Sequence, residues 1–584
     1  MNAFISRRRF VQGLGIGGVT LASGLPATKV HARVLDSQYT LHGRDHALRI
    51  DTLPVNFTGR TRPAVAVNGS LPAPILRWRE GDSVRIDVTN RLDTLTAIHW
   101  HGIVLPYQMD GVPGISFPGI HPGETFRYEF ELRQSGTYWY HGHAGFQEQL
   151  GLYGAIIIEP RASNDSLCES RCERDYVVML SDWSDDTPEH VLSRLKKDPA
   201  YYNYHQRTVA DSWDDIREKG LVNAWRERSM WNAMRMSDRD LADVTGATYS
   251  FLMNGHTPNS NWTGLFKAGE RVRLRFINAA AMTFFDVRIP NLSMRVIAAD
   301  GNPIEPVSVD EFRIGNAETV DVIVEPKADM AYTIFAQALD RSGFARGTLT
   351  SDPALIAEIP ALDAAPILSH KEMGMGDAHA AHTSHNTSAM ANYAGVDHSA
   401  HQAQNPTRHE IDKLGTAIAK NNPGVDMRAD NPQPRLDDPG IGLGNNNRRV
   451  LTYADLAHRD MTPDMREPER EIELHITGNM ERYMWSFDGV SYADAEPLHF
   501  RLGERLRITL INDTMMFHPV HLHGMWSDLE TGNEHHLPRK HTLAVKPGEK
   551  LSYRVTVDAP GAWAYHCHLM YHMELGMFRK VVVA

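Results

Sequence analysis

One phrase occurs three times and restricts the chain to a tandem architecture. Gly81-Asp82-Ser83-Val84-Arg85-Ile86-Asp87-Val88-Thr89-Asn90 is echoed by Gly269-Glu270-Arg271-Val272-Arg273-Leu274-Arg275-Phe276-Ile277-Asn278 and by Gly503-Glu504-Arg505-Leu506-Arg507-Ile508-Thr509-Leu510-Ile511-Asn512. Each copy opens on a turn and then alternates with the period of two that a half-buried strand requires. An Asn-Gly or Asp-Gly turn precedes each one, at Asn68-Gly69, Asn254-Gly255 and Asp488-Gly489, and a second alternating strand follows near 124–132, 319–325 and 550–557. Alternation broken by frequent turn residues predicts antiparallel sheets packed as sandwiches, so the expected fold is all-β, with three β-sandwiches in tandem.

The 584 residues suffice for several domains of ordinary size. The predicted boundaries are an export signal at 1–32, sandwiches at 33–165, 166–365 and 446–584, and a linker at 366–445. Between Asp185 and Val244 the pattern turns helix-friendly and charged, as in Trp213-Asp214-Asp215-Ile216-Arg217-Glu218-Lys219, which predicts a partly helical insertion in the second sandwich. The linker lacks periodicity and is rich in Ala, Asn, Asp, Gly, His and Met, so little core is expected from it.

At the N-terminus, Ser6-Arg7-Arg8-Arg9-Phe10-Val11 precedes a weakly apolar stretch from Gly13 to Leu25 and a cleavage-like Val30-His31-Ala32. The order resembles a twin-arginine signal, which predicts the translocase of that route as a partner in export, and the periplasm as destination. A net charge of -12 gives no electrostatic reason to bind nucleic acid, and no apolar run is long enough to span a bilayer.

The chain holds 30 histidines and 24 methionines against 3 cysteines, the nitrogen and soft sulfur donors that suit copper. Four His-x-His pairs occur: His99/His101, His141/His143, His521/His523 and His566/His568. Random placement of that many histidines gives roughly 1.5 such pairs, so context must carry the inference. On a strand, residues i and i+2 share a face, so each pair can present two imidazoles to one place. The pairs stand at matching points of the first and third repeats. The middle repeat has Ala279-Ala280-Ala281 and Tyr332-Thr333-Ile334-Phe335 near the equivalent places and no histidine, as a spacer or lid would.

Cys567 lies between His566 and His568, so on extended backbone its sulfur points away from both rings, and one tripeptide can serve two metal sites. With His518, His572 and Met577 it supplies one thiolate, two imidazoles and a thioether, the ligand set of a blue-copper electron-transfer site. Cys168 and Cys172 are spaced for a disulfide or for two idle thiols.

The segments HWHG, YWYHGH, HPVHLHG and HCHLMYHMELGM resemble the four copper-binding segments of multicopper oxidases. MRMSDRDLADVTGATYSFLMNGHTP and NMERYMWSFDGVSYADAEPL resemble the periplasmic copper-resistance branch of that family. The resemblance implies cupredoxin-like Greek-key sandwiches and four copper ions. Type 1 would sit on His518, Cys567, His572 and Met577, and type 2 on His99 and His521. The type 3 pair would take His101, His141, His143, His523, His566 and His568.

It further implies dioxygen as electron acceptor, with Cu(I) as the leading substrate and phenols as a side activity. A dedicated phenol oxidase and a copper-sequestering protein are the alternatives. Asp110 matches by spacing an acid that relatives use as a proton relay, with a plain turn aspartate as its alternative. A second acid that some relatives place after the type 1 histidine is missing: Met573 stands there, followed by Glu574. Asp513, Met515 and Met516, near His518, could hold substrate Cu(I) or simply pack in the core. Met373, Met375, His379, His382, His385, Met390, His398 and His401 form a loose copper-attracting tract in the linker.

Overall fold

Each copy of the repeated phrase is a strand, at Ser83–Asn90, Val272–Asn278 and Arg505–Asn512. Each pairs antiparallel with its predicted partner, Thr125–Glu131, Thr319–Val324 or Lys550–Thr556. The apolar members point inward: Val84, Ile86 and Val88, then Leu274 and Phe276, then Leu506, Ile508 and Leu510 are fully buried. This computed structural model describes residues 39–161, 172–375, 412–415, 418, 422–444 and 446–584. The twin-arginine segment, Cys168 and the tract from His379 to His401 lie outside the described residues.

The turns that precede the copies share one geometry. Asn68, Asn254 and Asp488 have φ of 52°, 51° and 55°, and the glycines after them 72°, 74° and 70°. Two successive positive φ values make a tight hairpin that suits the twist of its strands, and Asn, Asp and Gly tolerate them best. In each copy the turn side chain also accepts a backbone N–H from a neighbouring strand: Arg49 to Asn68, Met179 to Asn254 and His475 to Asp488, at 2.7–2.8 Å.

Six sheets result. Those of the first repeat have five and four strands, and those of the second six and five. The third repeat has a larger sheet around Arg470–Asn479 and Arg505–Asn512, and a five-stranded one in the order Leu498–Phe500, Phe578–Val583, Gly561–Cys567, His518–Leu522, Thr542–Val545. The predicted insertion is helical over Pro188–Leu195, Val209–Lys219 and Leu221–Met234.

The asparagine that closes each phrase fixes the loop after it. Asn90, Asn278 and Asn512 are fully buried, and each donates two or more amide hydrogen bonds to carbonyls of that loop and its surroundings. In the first and third repeats these loops lead into the strands that carry the histidine pairs. Contrary to the composition-based expectation, the described flanks of the linker contribute core: Leu368, Met373, Met427, Ile441 and Leu443 are buried.

Candidate metal centre

Two strand pairings set out the histidines. Ile98–His101 pairs antiparallel with Gly136–Gly142 so that His99 lies opposite His141, and His518–Leu522 pairs with Gly561–Cys567 so that His521 lies opposite His566. The two arrays meet face to face: His99 stacks on His523 with centroids 4.0 Å apart, and His101 on His521 at 3.8 Å. Nitrogens of His101, His141 and His568 converge within 4.8 Å, as do those of His143, His523 and His566, and those of His99, His101 and His521.

One nitrogen of most of these rings is already committed. His99 donates Nδ1–H to the Asp110 carbonyl (2.8 Å), His521 to the His541 carbonyl (2.5 Å) and His566 to the Cys567 carbonyl (2.8 Å). The nitrogens left over are buried and have no partner among the described residues: Nε2 of His99, His141, His143, His521 and His568, and Nδ1 of His101. Burial pushes His101, His141, His143, His521, His523 and His568 well below the usual histidine range, and His566 down to about 4. Neutral imidazoles with buried, unused lone pairs are what a transition metal requires.

On the other face of the same tripeptide, Cys567 Sγ lies 3.6 Å from His518 Nδ1 and 3.9 Å from His572 Nδ1, with all three residues fully buried. His518 is held through Nε2 by Thr514 Oγ1 (2.7 Å), and His572 donates Nε2–H to Asp243 Oδ2 (2.7 Å). The two Nδ1 atoms are 3.2 Å apart and turned toward the sulfur. Burial pushes the Cys567 thiol well above its ordinary range, so a thiolate here needs a cation beside it. Met577 is buried too, and its backbone bonds to both Cys567 and His572. The donor set fits copper.

Asp110 touches both halves of the cluster. Its carboxylate accepts from His523 Nδ1 at 2.8 Å and lies 3.3 Å from His99 Nδ1. Gly111, at φ +83°, lets this loop run against the histidine strand, since a Cβ there would fall 1.8 Å from the Ile98 carbonyl oxygen. Three further residues at the sites were not predicted from sequence: Asp243 on His572, His541 at 3.1 Å from His101 Nε2, and Glu148 at 2.7 Å from His141 Nδ1. A small cleft lined by His99, His521, Trp526 and His541 reaches this end of the cluster.

Asp513, Met515 and Met516 are all buried. The Asp513 carboxylate is bonded to His475 Nδ1 (2.6 Å) and to the Ala429 N–H (2.9 Å), so the three form no open cation site on the surface. In the tract, Met373 is buried and Met375 half-buried.

Multicopper oxidase family models match residues 49–163, 174–354 and 465–584, together well over half of the chain. The chain belongs to the multicopper oxidases. It is therefore an oxidoreductase that uses copper. A copper resistance protein A homolog of Pseudomonas syringae pv. tomato is 54% identical over 99% of both chains. Copper resistance protein A of Escherichia coli is 50% identical, again over 99% of each. The solved laccase of Botrytis aclada superposes with a TM-score of 0.60 at 22% identity, covering 92% of this chain and 87% of that one, a likeness of fold. The six sheets are thus cupredoxin-like sandwiches of this oxidase family. Among the described residues, no helix is long and apolar enough to cross a membrane.

Proposed function

We propose that this multicopper oxidase oxidises Cu(I) with dioxygen as acceptor, in copper resistance, and oxidises phenols as a side activity. Type 1 copper is assigned to His518, Cys567, His572 and Met577, and type 2 to His99 and His521. The type 3 pair is assigned to His101, His141 and His568 on one side and to His143, His523 and His566 on the other. Bound copper supplies the one-electron uptake and the four-electron reduction of dioxygen to water.

The observation that carries the reading is the tripeptide His566-Cys567-His568. Its sulfur belongs to one group of ligands and its two rings to the other, so the link between them is a few covalent bonds of backbone. Asp243 orients His572 through Nε2 and leaves Nδ1 for the metal. Asp110 holds His99 and His523 and is placed to pass protons at its carboxylate, with the cleft beside His99 and His521 as the water route.

Preference for Cu(I) is supported at His572. Its outer nitrogen meets a buried carboxylate and not solvent, which keeps an aromatic ring from the imidazole edge. The copper-resistance relatives at 50% and 54% identity support the same reading. The tract from His379 to His401 is proposed to collect copper, and the arginine motif at Arg7-Arg8 to direct export to the periplasm.

Oxygen uptake by copper-loaded protein, with Cu(I) or a phenol as donor, tests the function. The expected result is faster uptake with Cu(I) and none with either donor in Cys567→Ser. Uptake that persists in Cys567→Ser would overturn the oxidase assignment, and a preference for the phenol would overturn the substrate.

A further inference from the structure

We propose that Glu148 is a positioning residue for the histidine trio His101, His141 and His568, and supplies that trio with a negative charge one ring away from its metal. The inference rests on the copper assignment above and adds a residue to it.

Glu148 follows the second histidine pair in the turn Ala144-Gly145-Phe146-Gln147-Glu148 and is 5% exposed. Oε2 lies 2.7 Å from His141 Nδ1, which is also within 3.1 Å of the Gly142 carbonyl oxygen, so the carboxylate and that carbonyl share the same ring nitrogen. Oε1 lies 3.9 Å from His568 Nδ1, too far for a hydrogen bond but within electrostatic reach, and has no hydrogen-bond partner among the described residues. No lysine or arginine among the described residues pairs with this carboxylate. Burial, with Asp182 nearby, pushes this carboxyl well above the ordinary range, so its ionised form needs a cation to compensate it. It faces two imidazoles whose other nitrogens are buried and have no partner among the described residues. A metal on those nitrogens completes a carboxylate–histidine–metal arrangement, which fixes the ring and raises its basicity.

The residues on either side pin Glu148 in place. Gln147 accepts from Thr96 Oγ1 (2.6 Å) and donates to the Leu95 carbonyl (2.8 Å). Gln149 accepts from the hydroxyls of Tyr249 and Tyr571, both at 2.9 Å, which ties the turn to the second and third repeats. The opposite trio, His143, His523 and His566, has its own carboxylate, Asp110 on His523. Each trio is therefore served by one buried acid, and Glu148 is the counterpart of Asp110.

The test compares copper-loaded full-length protein with Glu148→Ala and Glu148→Gln. It reads copper per chain under chelator competition, the near-ultraviolet band of the coupled copper pair, the reduction potential of that pair, and the blue band as a control for folding. Glu148→Ala should retain the blue band and hold copper at the trio ten- to a hundredfold more weakly. Glu148→Gln keeps an acceptor for His141, so it should hold copper as the parent does while the pair is reduced at a higher potential. Unchanged copper retention in Glu148→Ala, or an unchanged potential in Glu148→Gln, would overturn the proposal. A parent protein that lacks the coupled-pair band would instead overturn the copper assignment, and this inference with it.

Discussion

His523 Nε2 and His566 Nε2 lie 3.0 Å apart, and neither carries a proton to place between them. His523 gives its Nδ1–H to Asp110, and His566 gives its own to the Cys567 carbonyl, each at 2.8 Å. Two lone pairs at that separation repel unless a cation lies between them. Stripping copper with a chelator should therefore lower the thermal midpoint, and adding copper back should restore it. Metal that binds the folded chain alone contributes about 2.7 kcal/mol at a hundredfold excess over Kd. Scanning calorimetry on both forms reads the effect, and equal midpoints would rule out a metal at this pair.

Asp243 gives a separate prediction for the other site. Asp243→Asn removes a negative charge bonded to a ligand of the thiolate site, which favours the reduced metal and should raise its potential while the blue band remains. Asp243→Ala also uncovers the outer edge of His572, so the ratio of Cu(I) to phenol oxidation should fall about tenfold or more, the scale of outer ligand-shell effects. Redox titration and paired donor kinetics check the two outcomes.

For Asp110, the prediction is a loss confined to the oxygen side. Asp110→Ala removes the acceptor from His523 and the acid beside His99, so turnover should drop about ten- to a hundredfold. The type 1 blue band, built on other residues, should stay as it is. Stopped-flow reoxidation of reduced enzyme separates this from slow electron uptake, which should be unchanged.

The contrast among these residues shows what sequence can convey. The repeats, the hairpin turns and the histidine pairs were legible because strand alternation fixes which side chains share a face, and Cys567 because it sits between two members of a pair. Asp243 was not: it lies 329 positions from His572, in the segment after a helical insertion, and only tertiary packing brings them together. Glu148 and His541 carry no periodic signal, since each is a single titratable residue in a turn or beside a strand. Asp513, Met515 and Met516 are near His518 in sequence, which suggested access, but the loop they form is tucked under the linker flank at Ala429. That flank was misjudged from polar composition, because a few apolar residues suffice to anchor it.

Acid stability should depend on Asp175. It lies in the strand Arg174–Trp183, bonded to Arg275 at 2.7 and 2.9 Å and to Arg77 of the first repeat at 2.8 Å. Burial pushes its carboxyl up, but Arg275, with Arg273 and Arg77, outweighs this and holds it at about 2, below the ordinary 3.8. A carboxyl lowered on folding stabilises above its unfolded value, and that contribution disappears as pH falls through the folded value. Asp175→Asn should cost about 2 kcal/mol near neutrality. The gap from the parent should close between about pH 4 and pH 2, which midpoints measured across that range would show. A gap that stays constant would assign the loss to packing.

Met373 separates copper collection from core packing. Its residue type places it in the copper-attracting tract, yet it is fully buried, and its backbone is packed against Gly548, where a Cβ would fall 2.2 Å from the Met373 carbonyl carbon. The next residue, Gly374, accepts the Asn431 N–H at 2.9 Å, so this end of the linker is built into the third repeat. Met373→Ala should thus cost about 2–5 kcal/mol, as deletion of a buried side chain does. Gly548→Ala should destabilise as well, because φ there is +64° and the backbone of Met373 cannot retreat. Neither change should alter the copper concentration for half-maximal rate in the protein that remains folded. A copper-collecting role for Met373 requires the reverse: weaker copper dependence at an unchanged thermal midpoint.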